Sequence, residues 1–515
     1  MRVALTVADF LNRAAMVHGH RTAVVDEPGV PGSYGTLTYR ELEARARGMA
    51  LALDEVGIEH GERVAIVSPN SGRFLTAYFG VSGYGRTLVP INFRLTADEI
   101  AYVVQHSGAS VLLYDPDLTD QVSSVKVAHR FCLDGGDDAA LFAPAPDGAV
   151  PLAWRPDEDA TCSVNYTSGT TARPKGVQLT QRNCWLNAAT FGWHIGVSDR
   201  DVLLHTLPMF HCNGWGMPYA VTGMGGTHVV LRKVDGEEIL ARIERHGVTL
   251  LCGAPAVVAA ILGAAESRTA EGRDLPGRGT VRIVVAGAPP PSRTIERVES
   301  ELGWEFIQIY GLTETSPLLT VNRAPAEWDD LGAAARSHLL SRAGAPALGV
   351  QIAVDEDGEV LARSNHVFAG YWEQPEETEA SLRGGWFHTG DGGHFDGTHL
   401  VISDRKKDVI ITGGENVSSI EVEDCLYQHE AVAEVAVIGV PDERWGETIK
   451  ALVVVRDGST VSEADLIAHC RERLAHFKAP TSVELREALD RTATGKLQKY
   501  KLRQPYWEGR GKLVN

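Results

Sequence analysis

Hydrophobic and polar positions alternate along this chain with two periods, one helical and one strand-like. Phe10, Leu11, Ala14 and Ala15 share a face at helical spacing within residues 7–17, which predicts an amphipathic helix. Thr38 followed by Glu41 has the form of a capping box, and Gly57 is placed to end the helix that it opens. Residues 63–67 read as a buried strand, Thr96 with Glu99 as a second capping box, and residues 111–114 as another strand. Residues 115–156, rich in Asp, Ala, Gly and Pro, read as a surface connection.

The alternation resumes with a strand at 162–166 and a helix at 181–191. The polar residues between them are expected to sit between strand and helix, where backbone amides face an anion. Further on come a helix at 236–246, a strand at 249–252, a helix at 256–265 and strands at 281–286 and 307–309. The last two end at Gly287-Ala288-Pro289 and Tyr310-Gly311, the ends at which open α/β sheets bind ligands. Residues 323–342 are charged and alanine-rich and fit no element. Residues 349–363, turning at Asp357-Gly358, read as a hairpin, and 386–401 as a second. Beyond Asp404 a helix at 419–429, strands at 435–440 and 451–455 and a helix at 462–474 capped by Ser462 form another set. The expected fold class is α/β. A large N-terminal domain of α/β sheets with a β-rich subdomain (1–404) precedes a small mobile C-terminal α+β domain (405–515).

Composition narrows the function. A chain of 515 residues with 44% apolar and 23% charged positions has the length and apolar content for several cores. A net charge of −18 argues against a nucleic-acid partner but leaves nucleotides open, because a local loop can be basic in an acidic protein. Seven scattered cysteines without CxxC pairs read as reduced thiols of a cytoplasmic protein, not as a zinc site. Residues 1–21 carry Asp9 and lack the apolar core of a signal peptide. No run approaches the roughly 20 apolar residues of a membrane helix.

The candidate chemistry centres on residues 166–176, Tyr-Thr-Ser-Gly-Thr-Thr-Ala-Arg-Pro-Lys-Gly. Hydroxyls, glycines and one lysine in so short a stretch suit a polyphosphate, although a polar surface turn has the same composition. It is no Walker A loop, because Gly176, not Ser or Thr, follows Lys175.

This stretch resembles the phosphate-binding signature of the AMP-forming acyl-CoA synthetases, the adenylate-forming, luciferase-like superfamily, departing from it at Ala172 where Gly is usual. Further resemblances follow in the family's order across nearly the whole chain. They are Pro208-Met209-Phe210-His211, Gly287-Ala288-Pro289, Tyr310-Gly311-Leu312-Thr313-Glu314 and Thr389-Gly390-Asp391. Asp404-Arg405-Lys406-Lys407-Asp408, Gly413-Gly414-Glu415-Asn416 and Thr494-Gly495-Lys496 complete the series. His211-Cys212-Asn213-Gly214-Trp215 is similar to the fatty-acid-CoA ligase branch, in which the tryptophan gates an acyl tunnel.

The resemblance implies roles that single residues do not. Thr167, Ser168, Gly169, Thr170, Thr171 and Lys175 hold the phosphates of ATP. Gly287, Ala288, Gln308, Tyr310, Gly311 and Thr313 form the adenine side, with Tyr310 stacked on the base. Asp391 and Arg405 take the ribose. Glu314 binds Mg²⁺ with Thr170 or Thr313 nearby. Lys496 bridges the acid's carboxylate and the α-phosphate. Lys407 is the hinge, with Asp404 as the rival pivot, and Gly413 and Gly414 face the pantetheine thiol of coenzyme A. His211 and Trp215, with Gly287 and Gly311, line the acid pocket, His211 among the catalytic residues. Read singly, each has an ordinary alternative: a surface carboxylate, a solvated lysine or a packed aromatic ring.

The implied activity is an ATP-dependent acid:CoA ligase that forms an acyl-adenylate and then an acyl-CoA, on a medium- to long-chain fatty acid. Alternatives are an aryl or aryl-acrylic acid, a carrier protein or amine as acceptor, a non-carboxylate oxyanion, or a degenerate nucleotide-binding protein. A homodimer is held open.

Overall fold

The computed structural model describes residues 1–167, 174–405, 408–412, 415–442, 445–491 and 497–508, and only the backbone at 404, 405 and 416. Two large sheets dominate. The first runs, in spatial order, Ala345–Pro346, Leu318–Arg323, Glu305–Gly311, Arg282–Val285, Leu250–Gly253, Val202–Leu204, Thr227–Val229, Thr22–Val25 and Thr36–Thr38. Its neighbours from Glu305–Gly311 through Thr22–Val25 are parallel, and its outer pairs are antiparallel. The second runs Gly370–Tyr371, Lys175–Thr180, Thr161–Thr167, Thr87–Ile91, Arg63–Val67, Ala109–Tyr114 and His129–Cys132. Val64, Ala65, Ile66 and Val67 are all fully buried, as expected of a parallel strand covered on both faces.

Local sequence rules hold where the signal is local. Thr38 and Thr96 each form the reciprocal capping box, opening helices Tyr39–Glu55 and Ala97–Ser107. Ser462 caps Glu463–Arg473 in the same way. Gly358 turns the hairpin Val350–Val354 / Glu359–Ser364 in a left-handed conformation. With Phe387–Asp396 and His399–Arg405 these strands make a four-stranded antiparallel sheet, the β-rich part of the large domain. The C-terminal domain is a further sheet of Glu415–Val417, Ile410–Thr412, Gly446–Val455 and Val432–Asp442, with Ser482–Leu485 beside Gly446–Val455. Its own core includes Val422, Leu426, Val435, Val437 and Leu466.

Three expectations are corrected. The phosphate stretch does not lie between strand and helix. It joins two antiparallel strands, Thr161–Thr167 and Lys175–Thr180, and helix Gln181–Ile195 begins only after the second. The second strand is short and runs directly into the helix's capping Thr180, so no turn residue marks the junction. Residues 115–156 are more than a surface connection. His129–Cys132 adds an edge strand, Leu141 and Phe142 are buried, and the buried Asp138 carboxylate accepts from the Arg73 guanidinium. Residues 323–342 hold a short turn at Ala326–Trp328 and helix Ala333–Leu340, whose Leu340 joins the core under the first sheet.

Candidate functional site

The phosphate hairpin is closed by the pair Thr167↔Lys175. Ser168, Gly169, Thr170 and Thr171 lie outside the described residues. The Lys175 ammonium sits 2.5 Å from Glu377 Oε2 and 5.1 Å from the centre of the Tyr371 ring. Tyr371 occupies the edge strand beside Lys175–Thr180, paired with Val177. Its hydroxyl donates to Glu314 Oε1 at 2.9 Å. Burial, together with the adjacent Glu314 carboxylate, raises the Tyr371 hydroxyl well above its usual pKa, so it remains a donor. One buried tyrosine therefore joins the expected phosphate lysine to the expected magnesium carboxylate.

Glu314 is placed by a tight turn. Strand Glu305–Gly311 ends where a Cβ on Gly311 would meet the Pro317 carbonyl oxygen at 1.5 Å, so only glycine fits. Thr313–Thr315 is a single turn of 3₁₀ helix, in which the Thr315 hydroxyl donates to the Pro317 carbonyl at 2.6 Å. The Phe368 amide donates to the Glu314 carbonyl at 2.8 Å and fixes the backbone there.

On the same strand, the Tyr310 hydroxyl donates to Asp391 Oδ2 at 2.8 Å, bridging the first sheet to the four-stranded one. Asp391 is buried, and the backbone of Arg405 lies opposite it in the strand pairing. Gln308 is buried with its Oε1 lacking a hydrogen-bond partner among the described residues. Gly287 and Ala288 are exposed just past strand Arg282–Val285. Thr313 is buried, and its carbonyl accepts from the Cys212 thiol at 3.9 Å.

That thiol belongs to an unusual segment. Cys212, Asn213, Gly214, Trp215 and Gly216 have φ of 46°, 51°, 59°, 58° and 78°. Left-handed backbone costs a non-glycine residue about 1–2 kcal/mol, so the surroundings must over-determine this geometry. They do so through amides. Asn213 Nδ2 donates to Ser163 Oγ at 2.7 Å, and its Oδ1 accepts from Asn165 Nδ2 at 3.2 Å. Asn187 Nδ2 donates to the Trp215 carbonyl at 3.2 Å. Ser163 and Asn165 lie on the strand that leads into the phosphate hairpin. Trp215 is only 4% exposed, and His211 at the segment's start is half-buried.

The structure thus brings Lys175 beside Glu314 through Tyr371, and Tyr310 beside Asp391. It anchors the His211–Trp215 segment to the strand that supplies Thr167. Lys407, Gly413, Gly414 and Lys496 lie outside the described residues, the two glycines between the paired strands Ile410–Thr412 and Glu415–Val417. Sequence reasoning missed Tyr371, Glu377 and the anchoring role of Asn213. Tyr371 and Glu377 carry no local pattern, but Asn213 in a run with two glycines was a detectable sign of left-handed backbone. Chemically, the ammonium, the carboxylate and the tyrosine–aspartate pair offer an anion contact, a hard oxygen ligand and hydroxyl acceptors.

Residues 11–372 match the model of the AMP-binding enzyme family, and residues 421–496 that of the AMP-binding enzyme C-terminal domain. A 2-methylpropanoate–CoA ligase of Humulus lupulus is 36% identical, covering 97% of this chain and 94% of its own. A peroxisomal acetate/butyrate–CoA ligase of Arabidopsis thaliana is 35% identical over the same shares. The crystal structure of an anthranilate–CoA ligase in complex with anthranoyl-AMP superposes with a TM-score of 0.87 at 26% identity, covering 98% of each chain.

Proposed function

Since the chain belongs to the AMP-binding enzyme family, we propose that it activates a short-chain carboxylic acid. It is an AMP-forming acyl-CoA ligase, using ATP and coenzyme A and passing through an acyl-adenylate. Among the described residues no helix is long and apolar enough to cross a membrane.

The acid's carboxylate is the nucleophile and the α-phosphorus its target, so the protein's work is positioning and charge stabilisation. Lys175 lends positive charge to the phosphates. Glu314, with Thr170, would hold Mg²⁺. The carboxylate oxygen that Tyr371 orients is the hard donor this ion prefers, and the ion would neutralise phosphate charge. Asp391 accepts from the ribose hydroxyls, and Tyr310 braces Asp391 while presenting its ring to adenine. Lys496 meets the carboxylate and α-phosphate. Residues 405–515 turn about Lys407 to bring Gly413 and Gly414 toward the thiol.

The acid's size rests on Trp215. Its side chain is buried, and its left-handed backbone is tied through the Trp215 carbonyl to Asn187, which supports a fixed wall rather than a swinging gate. The relatives named for 2-methylpropanoate and for acetate and butyrate support the same size. This reading departs from the medium- to long-chain expectation drawn from the sequence.

A panel of acids assayed by pyrophosphate release tests the assignment. The highest kcat/KM is expected for propanoate, butanoate and 2-methylpropanoate. An optimum at octanoate or longer, or at an aryl acid, overturns it.

A further inference from the structure

Strand Glu359–Ser364 pairs with Phe387–Asp396 as Ala362↔Phe387 and Leu361↔His388, but then as Glu359↔Gly392. Two extra residues on the second strand bulge out between these pairs, and the bulge contains Thr389, Gly390 and Asp391. Bulges re-aim side chains, and this one directs Asp391 to the Tyr310 hydroxyl. Gly390 at its tip has φ of 72°, a left-handed conformation that favours glycine.

The bulge is held from below. The Glu359 side chain is 8% exposed. Its Oε1 accepts the Gly390 amide at 2.9 Å, and its Oε2 faces His388 Nδ1 at 3.3 Å and the Arg383 guanidinium at 3.7 Å. The Glu359 amide in turn donates to Asp355 Oδ1 at 2.7 Å. The Thr389 hydroxyl donates to the Val360 carbonyl at 2.7 Å and accepts the Asp391 amide at 3.1 Å. Of these ties, the one to Gly390 joins the buried Glu359 carboxylate directly to the exposed bulge tip, so losing it frees the backbone at the residue before Asp391.

We propose that Glu359 is a positioning residue for the nucleotide, fixing the bulge so that Asp391 meets the ribose hydroxyls. The inference rests on the ribose reading of Asp391. Glu359 itself touches no substrate.

The test is the preference, in kcat/KM for pyrophosphate release, for ATP over 2′-deoxy-ATP and 3′-deoxy-ATP, measured with the full chain. Asp391→Ala sets the floor by abolishing that preference. Glu359→Ala is expected to lower it about tenfold, the effect of one charge-assisted hydrogen bond. Glu359→Gln keeps an acceptor for Gly390 and is expected to stay within about threefold of the parent. Glu359→Asp keeps the charge but shortens the reach, so it behaves as Ala and replaces it if Glu359→Ala fails to accumulate. A lower Tm with an unchanged nucleotide preference, while Asp391→Ala abolishes that preference, makes Glu359 merely structural and overturns the proposal alone. An unchanged preference in Asp391→Ala removes the ribose reading and the proposal with it.

Discussion

The two corners of the site are built in opposite ways. The segment proposed to face the acid, Cys212–Gly216, is held by neutral amides and a hydroxyl that are almost wholly buried. The corner proposed to meet the phosphates, around Lys175, is held by charges, and one of them, Glu377, is half exposed. A buried neutral network has one satisfied arrangement and a high cost for any other. A partly solvated ion pair can change partners at little cost. The first construction suits a pocket whose shape selects an acid; the second suits a lysine that must exchange one anion for another.

Removing charge at the phosphate corner is expected to give the largest functional effect with little structural one. Glu314→Gln should lower kcat/KM by about 10²–10³, the range for deleting one electrostatic contact to the reacting charge, with Tm nearly unchanged. A matching fall in Tm would show that Glu314 holds the fold and would dissolve the contrast.

The acid side should answer in the reverse sense. Asn213→Leu loses left-handed tolerance and removes the buried bonds to Ser163 Oγ and from Asn165 Nδ2. A destabilisation of about 3 kcal/mol is expected in urea melts, with activity falling only as the folded fraction falls or as acid preference shifts. Unchanged stability would mean that the amides do not hold the segment.

A second neutral network in the same domain extends this test to pH. His205 Nε2 and His228 Nδ1 lie 3.0 Å apart, with the Thr222 hydroxyl 3.0 Å from His228 Nε2. Both rings are fully buried, and burial depresses both pKa values, His205 to about 3. The unfolded chain therefore binds protons below about pH 6.5 that the folded chain refuses. Stability is full above that pH. It falls as pH drops toward the folded values, by about 1.4 kcal/mol per pH unit for each histidine. Denaturant melts between pH 7 and pH 5 should show this slope, and His205→Asn should reduce it. An unchanged slope would assign the acid sensitivity to other groups.

These contrasts explain what could be read from the chain. The capping boxes at Thr38 and Thr96 were legible because both partners lie within four residues. The motif residues Tyr310, Glu314 and Asp391 could be picked out, but not the bonds that join them. The Tyr310–Asp391 and Tyr371–Glu314 contacts span 81 and 57 positions and exist only once separate sheets meet. The edge strand His129–Cys132 escaped notice because its half-buried residues include His and Arg and show no apolar alternation. Lys175–Thr180 was missed because it passes into a helix with no break.

Tyr371→Phe separates ring from hydroxyl. The ring under Lys175 stays, and the bond to Glu314 goes. About a tenfold loss in kcat/KM, with a raised requirement for Mg²⁺, is expected from one hydrogen bond to a charged group. An unchanged Mg²⁺ dependence would assign the hydroxyl to folding alone.

The smallest expected effect is also the one whose sign separates the two constructions most cleanly. Glu377 pairs with Lys175 at 2.5 Å, but its side chain is 51% exposed against 17% for the lysine. Solvent screening limits such a pair to about 0–1 kcal/mol. If the pair is a placeholder that phosphate displaces, Glu377→Gln removes a competitor. The ATP KM should then fall, by no more than about fivefold, while kcat holds and the salt dependence of KM steepens. If Glu377 instead aims Lys175 as Asn213 aims its segment, the same substitution raises KM and lowers kcat together. A rise in KM would therefore show that the charged corner, like the neutral one, holds a single geometry, and the exchange of partners would have to be sought elsewhere in the phosphate hairpin.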